Sequence, residues 1–472
     1  MAMQQKKTLR QLVIGDRAFY RQMMIIVLPI IIQNTVSNVV SLLDNVMVGR
    51  VGTLPMSAVA IVNQLMFVFN LCVFGGLAGA GIFATQYAGA KDDEGVRSCF
   101  RMKIIICILM LLCAGAVFTF AAKPLIHLYL TGDQSGESAA VTMDYALSYL
   151  RVMLPGLIPF AVSQLYASTL RELGETRVPM ISGIAAFTVN LLFNWLLIFG
   201  MLGFPRMGVV GAAVATVLSR CVEMAILVIY THRNSERFRF IRGAYRSLRI
   251  PTELLHDIIV RGMPLLVNEF LWSSGMAVLM QCYSVRGLEV VAAFNICATV
   301  ANLFNAVFLS LGNATAIMVG QRLGAGKMEE ATSTAWRLML VSVLSSVVLG
   351  LMLASLSGVI PHIYNTAESV RVMAGQFLMV NACVMWLSSF ANCCYFTLRS
   401  GGKTMITFLF DSVFTWAVSV PAAWLLANHT SMHVVLLYLC VQSLDFIKCV
   451  IGFILVKRGV WINNMVVRGT QE

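Results

Sequence analysis

The apolar residues of this chain come in long blocks that are separated by short polar segments. Each block holds about 20 residues or more, the length that an α-helix needs to cross the hydrocarbon of a bilayer. Strands are not expected, because lipid offers no hydrogen-bond partner to an open strand edge. We therefore predict an all-α polytopic membrane protein. The predicted spans are 23–47, 56–85, 98–121, 142–166, 178–200, 208–230, 254–284, 290–319, 331–357, 372–398, 404–426 and 434–456.

The composition agrees with this pattern. Of the 472 residues, 58% are hydrophobic and 12% are charged, whereas a soluble domain carries about 25% charged residues. The net charge of +12 is spread over short loops, which argues against nucleic-acid binding. The twelve cysteines lie mostly inside predicted spans, and we interpret them, with the adjacent Cys393 and Cys394, as small apolar helix residues. We expect no cofactor and no metal site.

The basic residues predict the orientation in the membrane. With an even number of spans both termini lie on one side, and most of the 34 Lys and Arg residues lie in segments on that side. They are densest in the N-terminal segment, which contains Lys6, Lys7 and Arg10, and in the stretch 232–252. Because basic loops stay in the cytoplasm, we expect a plasma-membrane protein with both termini cytoplasmic.

The chain contains an internal duplication. At an offset of 235 residues, Pro29 falls on Pro264, Gly52 on Gly287 and Gln86 on Gln321. Later the offset is 228, and TLRELGET at 169–176 falls on TLRSGGKT at 397–404. Each half holds six spans, so the halves enter the membrane from the same side and form a parallel pseudo-two-fold repeat. We predict an N-terminal six-helix bundle at 1–231, a basic cytoplasmic linker at 232–252 and a C-terminal six-helix bundle at 253–472.

The first span has one polar face. On a helical projection its polar residues fall within one arc, and apolar residues occupy the rest of the circle. This arc predicts the wall of a water-filled cavity, although a polar seam between helices remains the alternative. Its members are Gln33, Asn34, Ser37, Asn38, Ser41, Asp44 and Asn45.

Asp44 is the candidate with the strongest chemistry. A carboxylate inside a span is costly and is by default a functional-site hypothesis, and its own span offers no Lys or Arg to neutralise it. It could bind a proton, a sodium ion or a cationic substrate. The alternative is a buried aspartate that Asn and Ser donors satisfy.

Other polar residues inside the spans are weaker candidates. Glu269 and Asn268 follow Pro264, which frees backbone carbonyls that could hold a cation. Asp411 has no obvious local partner, whereas we expect Asp445 with Lys448, and Glu223 with Arg220, to form i, i+3 pairs. Asn190 and Asn194 share one face of span five and could line a cavity or join helices.

Several motifs lie in order along nearly the whole chain: SLLDNVMVGRVG at 41–52, ATQYAGA at 84–90 and MVGQRLGAG at 318–326. The first two resemble the first repeat of the multidrug and toxic compound extrusion (MATE) family, and the third resembles its second repeat. The runs at 169–179, 208–216 and 445–448 also resemble that family. The resemblance implies two six-helix bundles that open alternately to each side, with proton or sodium entry driving the export of organic cations and amphipathic compounds.

The resemblance also implies roles for individual residues. Asp44 matches the family's first-span aspartate, implicated in cation coupling, and Asn190 and Asn194 match a polar pair whose second member is an aspartate in some relatives. Glu269 matches a seventh-span acid of the NorM-like branch. That branch also has an aspartate in span ten, where this chain has only Asn381 and Asn392, so the coupling ion stays open between H+ and Na+.

Two functions remain after this reading. The first is a cation-coupled exporter of small molecules, and the second is a lipid-linked precursor flippase of the same broad superfamily. A flippase should line its cavity with several basic residues, whereas the intramembrane polar residues of this chain are mainly acids and amides. No catalytic constellation suggests an enzyme. We expect partners to be the lipid bilayer and small-molecule substrates, no nucleic acid, and a monomer.

Overall fold

The computed structural model describes residues 15–130, 136–364 and 366–466. Within them, twelve helices are long and apolar enough to cross a membrane, and the prediction of an all-α membrane protein is confirmed. They are α1 (Arg17–Gly49), α2 (Thr53–Ala90), α3 (Asp93–Phe120), α4 (Gly136–Glu172), α5 (Arg177–Phe199), α6 (Val209–Arg233), α7 (Thr252–Ser284), α8 (Leu288–Gly324), α9 (Met328–Leu356), α10 (Glu368–Ser400), α11 (Thr404–His429) and α12 (Val434–Lys457). Lys6, Lys7 and Arg10, which contributed to the predicted orientation, lie outside the described residues.

Packing groups the described helices into two compact units. The N-terminal unit contains residues 32–84 and 93–258, and the C-terminal unit contains residues 15–31, 85–92 and 259–466. The first turns of α1 and the last turn of α2 therefore pack with helices of the second half of the sequence. The division into bundles at 1–231 and 253–472 stays a prediction.

The first part of α1 has an apolar core of its own in the C-terminal unit. Phe19, Met23 and Ile30 are buried against Leu311 of α8 and Leu338 of α9. Elsewhere, large apolar side chains remain exposed along α3 and α9, with Leu112 67% exposed and Leu351 68% exposed, as lipid-facing positions require. Burial of apolar area does not drive helix association in lipid, so close packing has to do so.

The predicted basic linker is folded onto the N-terminal unit. From α3, Arg97 Nε donates to Phe240 O at 3.1 Å and Arg101 Nε donates to Ala244 O at 3.2 Å. The ring of Phe240 is buried, with its centroid 5.2 Å from that of Phe100. The segment is thus an ordered part of this unit.

Repeat-related glycines form a close helix crossing in the C-terminal unit. A Cβ on Gly89 of α2 would lie 1.9 Å from Gln321 O of α8, and one on Gly324 would lie 1.8 Å from Gln86 O. Since Gln86 and Gly89 fall on Gln321 and Gly324 in the duplication, the contact is reciprocal. Only glycine allows the two backbones to touch in this way.

The segment after α12 packs on this crossing and forms hydrogen bonds with it. The fully buried Gln86 side chain donates from Nε2 to Ser400 O at 3.0 Å and to Asn463 O at 3.1 Å, and its Oε1 accepts from Met465 N at 2.8 Å. One amide side chain therefore joins α2, α10 and the C-terminal segment.

We predict that Gly89→Ala and Gly324→Ala lower the melting temperature of the purified protein by several degrees, because a methyl group at a backbone–backbone contact costs about 1–3 kcal/mol. Gly115→Ala is the matched control, since no atom lies within 4 Å of its Cβ position and alanine favours the helix by up to about 1 kcal/mol. Equal melting temperatures for all three variants would show that the crossing is not tight.

Candidate functional site

A cavity of about 600 Å³ opens within the N-terminal unit. Five helices line it: α1, α2, α4, α5 and α6. The polar residues of its wall are Gln33, Ser37, Ser41, Asp44, Asn63, Gln64, Asn70, Tyr149, Gln164, Asn190, Thr216, Ser219, Arg220 and Glu223. Aromatic side chains of Phe67, Phe69, Phe160 and Phe187 complete the wall, so the cavity is suited to an amphipathic molecule.

The polar arc of α1 contributes only part of its members to this cavity. Gln33, Ser37, Ser41 and Asp44 line it. The hydroxyls of Ser37 and Ser41 also donate to carbonyls one turn earlier, at 3.0 and 3.2 Å, which satisfies them without a partner from another helix. Among the described lining residues neither Asn34 nor Asn38 occurs, although neither residue is without a partner.

Asp44 is held by a chain of amides that crosses the unit. Asn194 Nδ2 donates to Asp44 Oδ1 at 2.6 Å and lies 3.1 Å from Asn190 Oδ1, and Asn190 Nδ2 donates to Thr216 Oγ1 at 3.4 Å. Asn190 and Asn194 are one turn apart on α5 and both are buried. The chain fixes the carboxylate relative to α5 and α6 while leaving it at the cavity wall.

Two charged residues of α6 were expected to form a structural pair, and the pair is present. Arg220 Nη1 lies 3.3 Å from Glu223 Oε2. Both residues nevertheless line the cavity, so the expectation that its polar wall consists mainly of acids and amides was incomplete. The charged lining residues in the described part of the chain are Asp44, Arg220 and Glu223.

The C-terminal unit contains a second polar cluster, around Lys448 of α12. Lys448 Nζ lies 3.4 Å from Asp411 Oδ1 and 3.7 Å from Asp445 Oδ1. The expected pairing of Asp445 with Lys448 is therefore present. Asp411, for which the sequence shows no obvious local partner, also accepts a hydrogen bond from Asn268 Nδ2 at 3.2 Å.

Local backbone geometry places Asp411 in this cluster. α11 contains π-helical turns at Leu409–Val413 and Thr415–Ser419, which rotate the following side chains out of the α-helical register. Ser412 Oγ donates to Asn268 O at 2.9 Å and so joins α11 to α7. Glu269, the next residue of α7, is partly buried and interacts electrostatically with Arg399 and Asp411.

A model of the MatE family matches the chain twice, at residues 29–196 and 264–425. The chain belongs to the MatE family. The two matches begin at Pro29 and Pro264, 235 residues apart, which confirms the internal duplication and its offset. This MatE protein is accordingly a transporter and not an enzyme. Its partners are the lipid bilayer, in which it lies, and small-molecule substrates.

Curated relatives are similar over most of their length. "Probable multidrug resistance protein YoeA" of Bacillus subtilis is 24% identical over 423 residues, with 88% of each chain covered. "Probable multidrug resistance protein NorM" of Thermotoga maritima is 24% identical over 416 residues, with 87% of this chain and 86% of the relative covered. The expected NorM-like relationship is confirmed.

Solved structures show the same fold. One, described as the outward-facing conformation of a multidrug resistance MATE family transporter, has a TM-score of 0.84 at 18% identity, with 97% of this chain and 99% of that chain covered. Another, a superfamily transporter from Pyrococcus furiosus described as having a binding pocket of reverse polarity, has a TM-score of 0.81 at 20% identity, with 97% and 99% covered. At these identities the likeness extends to the fold alone.

For the cluster of the MatE C-terminal unit, we predict that Lys448→Met lowers the free energy of unfolding by about 3–5 kcal/mol, because it leaves two carboxylates without their cation. Adding Asp411→Asn and Asp445→Asn should restore much of the loss. Thermal unfolding of the detergent-purified variants measures both effects.

The matched control is Lys327→Met, which removes a lysine from an exposed pair with Glu330 at 3.1 Å and should cost less than about 1 kcal/mol. A Lys448→Met protein as stable as the Lys327→Met protein would show that the cluster does not depend on its cation.

Proposed function

We propose that this transporter is a cation-coupled antiporter, driven by H+ or Na+, that exports organic cations and amphipathic compounds by alternating access. The observation that carries the proposal is the position of Asp44. Its carboxylate lies at the wall of an intramembrane cavity and receives one short hydrogen bond from Asn194. A carboxylate in this position is able to bind either an incoming cation or a cationic substrate.

The cavity supports export of small amphipathic molecules. Its volume of about 600 Å³ lies within the range of about 300–1,000 Å³ that is usual for small-molecule sites. Aromatic rings such as Phe160 and Phe187 offer apolar and cation–π contacts, and the amides of Asn63 and Asn190 offer hydrogen bonds in several directions. Relatives similar along most of the chain are named multidrug resistance proteins, which agrees with substrates of this kind.

Asp44 and its amide chain are the proposed coupling group of the N-terminal unit. Gln33, Ser37 and Asn190 share the cavity with it, and Asn194 positions it. In the C-terminal unit, Glu269, Asn268 and Asp411 form the proposed second polar group. Because Lys448 already provides Asp411 with a cation, we assign coupling to Asp44 first and to Glu269 second. We do not assign Asn34 and Asn38 of α1 to the coupling group, because neither is among the described lining residues.

The alternative of a lipid-linked precursor flippase has less support. Arg220 is the single basic residue among the described lining residues, and Glu223 is paired with it. A pyrophosphate carries several negative charges and needs a cluster of cations. A cavity with two acids and one arginine opposes such a ligand.

Export out of the cell requires the orientation that the basic segments favour. The linker has six arginines, all exposed in the structure: Arg233, Arg237, Arg239, Arg242, Arg246 and Arg249. We place this surface and both termini in the cytoplasm, in accordance with the positive-inside rule.

Dye uptake into everted membrane vesicles tests the proposal. The lumen of such vesicles corresponds to the cell exterior, so a lumen that is acidic, or rich in Na+, should drive accumulation of a cationic dye such as ethidium. Collapse of the same gradient by an ionophore should release the dye. Vesicles without the protein are the control. Uptake under neither gradient, with folded protein present, would contradict the proposed antiport.

The same vesicles report the orientation. A cysteine introduced by Arg246→Cys should react with a membrane-impermeant maleimide in everted vesicles, above the background of the native cysteines, and not in right-side-out vesicles. The opposite pattern would place the linker outside and contradict the orientation.

A further inference from the structure

Arg220 is the one cation among the described residues that line the N-terminal cavity. Its Nη1 contacts Glu223 at 3.3 Å and its guanidinium lies 4.8 Å from the ring centroid of Phe160. Its side chain is 36% exposed, whereas that of Glu223 is 6% exposed. A guanidinium has five N–H donors, and the contact with Glu223 uses one nitrogen. The arginine is thus accessible from the cavity.

The duplication relates Arg220 to Lys448 of the other half. At the offset of 228 residues, Arg220-Cys221-Val222 falls on Lys448-Cys449-Val450, and Ile226-Leu227-Val228 falls on Ile454-Leu455-Val456. Both halves therefore carry a basic residue at the same place of their last span.

The partners of the two basic residues differ between the halves. Lys448 contacts two carboxylates, Asp411 at 3.4 Å and Asp445 at 3.7 Å. At the same offset Asp411 corresponds to Gly183 and Asp445 to Val217. Both of these small or apolar residues line the N-terminal cavity together with Arg220. The two positions that are aspartates near Lys448 are therefore Gly183 and Val217 in the N-terminal half, where they provide no carboxylate. Both line the cavity that a substrate would occupy.

The cavity also contains the opposite charge. Asp44 lies at the same wall, and its carboxylate interacts electrostatically with Arg220. The structure gives Asp44 a hydrogen bond from Asn194 and gives Arg220 its contact with Glu223. Each of the two charges is therefore held by a different neighbour, and both line the same cavity.

We propose that Arg220 is a specificity-determining residue that binds a carboxylate of the exported compound, in the place that Asp411 and Asp445 take around Lys448. The compounds of this class carry a cationic nitrogen and a carboxylate on one amphipathic body. Guanidinium suits this role because its planar fork matches a carboxylate with two parallel hydrogen bonds. The inference rests on the proposed export function and adds to it the residue that recognises the carboxylate.

A pair of dyes that differ only in this group tests the inference. Tetramethylrhodamine methyl ester is a cation, and tetramethylrhodamine free acid is a zwitterion of nearly the same shape. For each dye, uptake into energised everted vesicles and fluorescence polarisation with the purified protein give a half-saturating concentration. We expect the native protein to take both dyes.

Arg220→Gln should raise the half-saturating concentration of the free acid about tenfold or more, because charge-assisted hydrogen bonds are lost. The value for the ester should change less than about twofold. Glu223→Gln should leave free-acid binding as tight as before or make it tighter, since it releases the guanidinium. Arg177→Gln, on the exposed start of α5, is the matched control and should change neither dye.

Equal loss of both dyes in Arg220→Gln, per folded molecule, would overturn the inference and leave Arg220 as a counter-charge for Glu223. If that variant does not fold, Arg220→Lys decides, because it keeps the charge and loses the fork: weakened free-acid binding supports the inference, and unchanged binding contradicts it. Native protein that takes the ester but never binds the free acid would overturn the inference alone. Native protein that takes neither dye would contradict the proposed function as well.

Discussion

The scarcity of hydrogen-bond partners in lipid is the constraint on which this structure depends. A polar group inside the hydrocarbon must find its partner within the protein. Most of the buried hydroxyls found here solve this locally: Thr315, Ser310 and Thr397 donate to a carbonyl one turn earlier in their own helix, at 2.6–2.8 Å. Groups that reach across helices are therefore informative, and the network around Asp44 joins three helices at a cavity wall.

The two halves of the duplication share a helix pattern but differ in the residues around the basic residue of their last span. In the C-terminal half, a lysine of the last span is neutralised by acids of α11 and α12. In the N-terminal half the corresponding arginine faces a cavity whose wall carries a glycine and a valine at those places. The C-terminal half thus pairs Lys448 with two carboxylates of the protein. The N-terminal half leaves Arg220 accessible to a ligand in the cavity. This difference gives the N-terminal cavity its mixture of charges.

The reciprocal crossing of α2 and α8 preserves the repeat where backbone contact is essential. Gly89 faces the carbonyl of Gln321, and Gly324 faces the carbonyl of Gln86. The two contacts are equivalent under the repeat. A side chain larger than hydrogen at either place would separate the helices. Gln86 additionally binds backbone groups of the C-terminal segment, so both ends of its amide are used in structural contacts.

Much of the fold follows from the sequence, because the length of apolar blocks and the solvent properties of lipid leave few alternatives. The twelve spans and the duplication were predictable from hydropathy and from repeated glycines, prolines and loop motifs. The pairings of Lys448 with Asp445 and of Arg220 with Glu223 were predictable too, since their spacing is local.

Contacts between distant helices were not predictable in the same way. The partners of Asp411 come from α7 and α12. The two π-helical turns of α11 change the register of its side chains, and no residue pattern in the sequence predicts them. Asn34 and Asn38 share the polar arc of α1 with Asp44 and yet do not line the cavity, because a projection of one helix does not say which part of the arc faces which neighbour. The location of Arg220 at the cavity wall depends on the packing of five helices.

Transport by the variant Asp44→Asn tests the central claim most directly. The substitution keeps the shape of the side chain and an oxygen that accepts from Asn194, and it removes the charge. Glu330→Gln, at an exposed acid of α9, is the control. The account predicts that the Asp44→Asn protein inserts and folds in normal amounts, whereas its gradient-driven dye uptake per folded molecule falls to the level of vesicles without the protein. Uptake at the native rate by well-folded Asp44→Asn would contradict the account and remove Asp44 from the coupling mechanism.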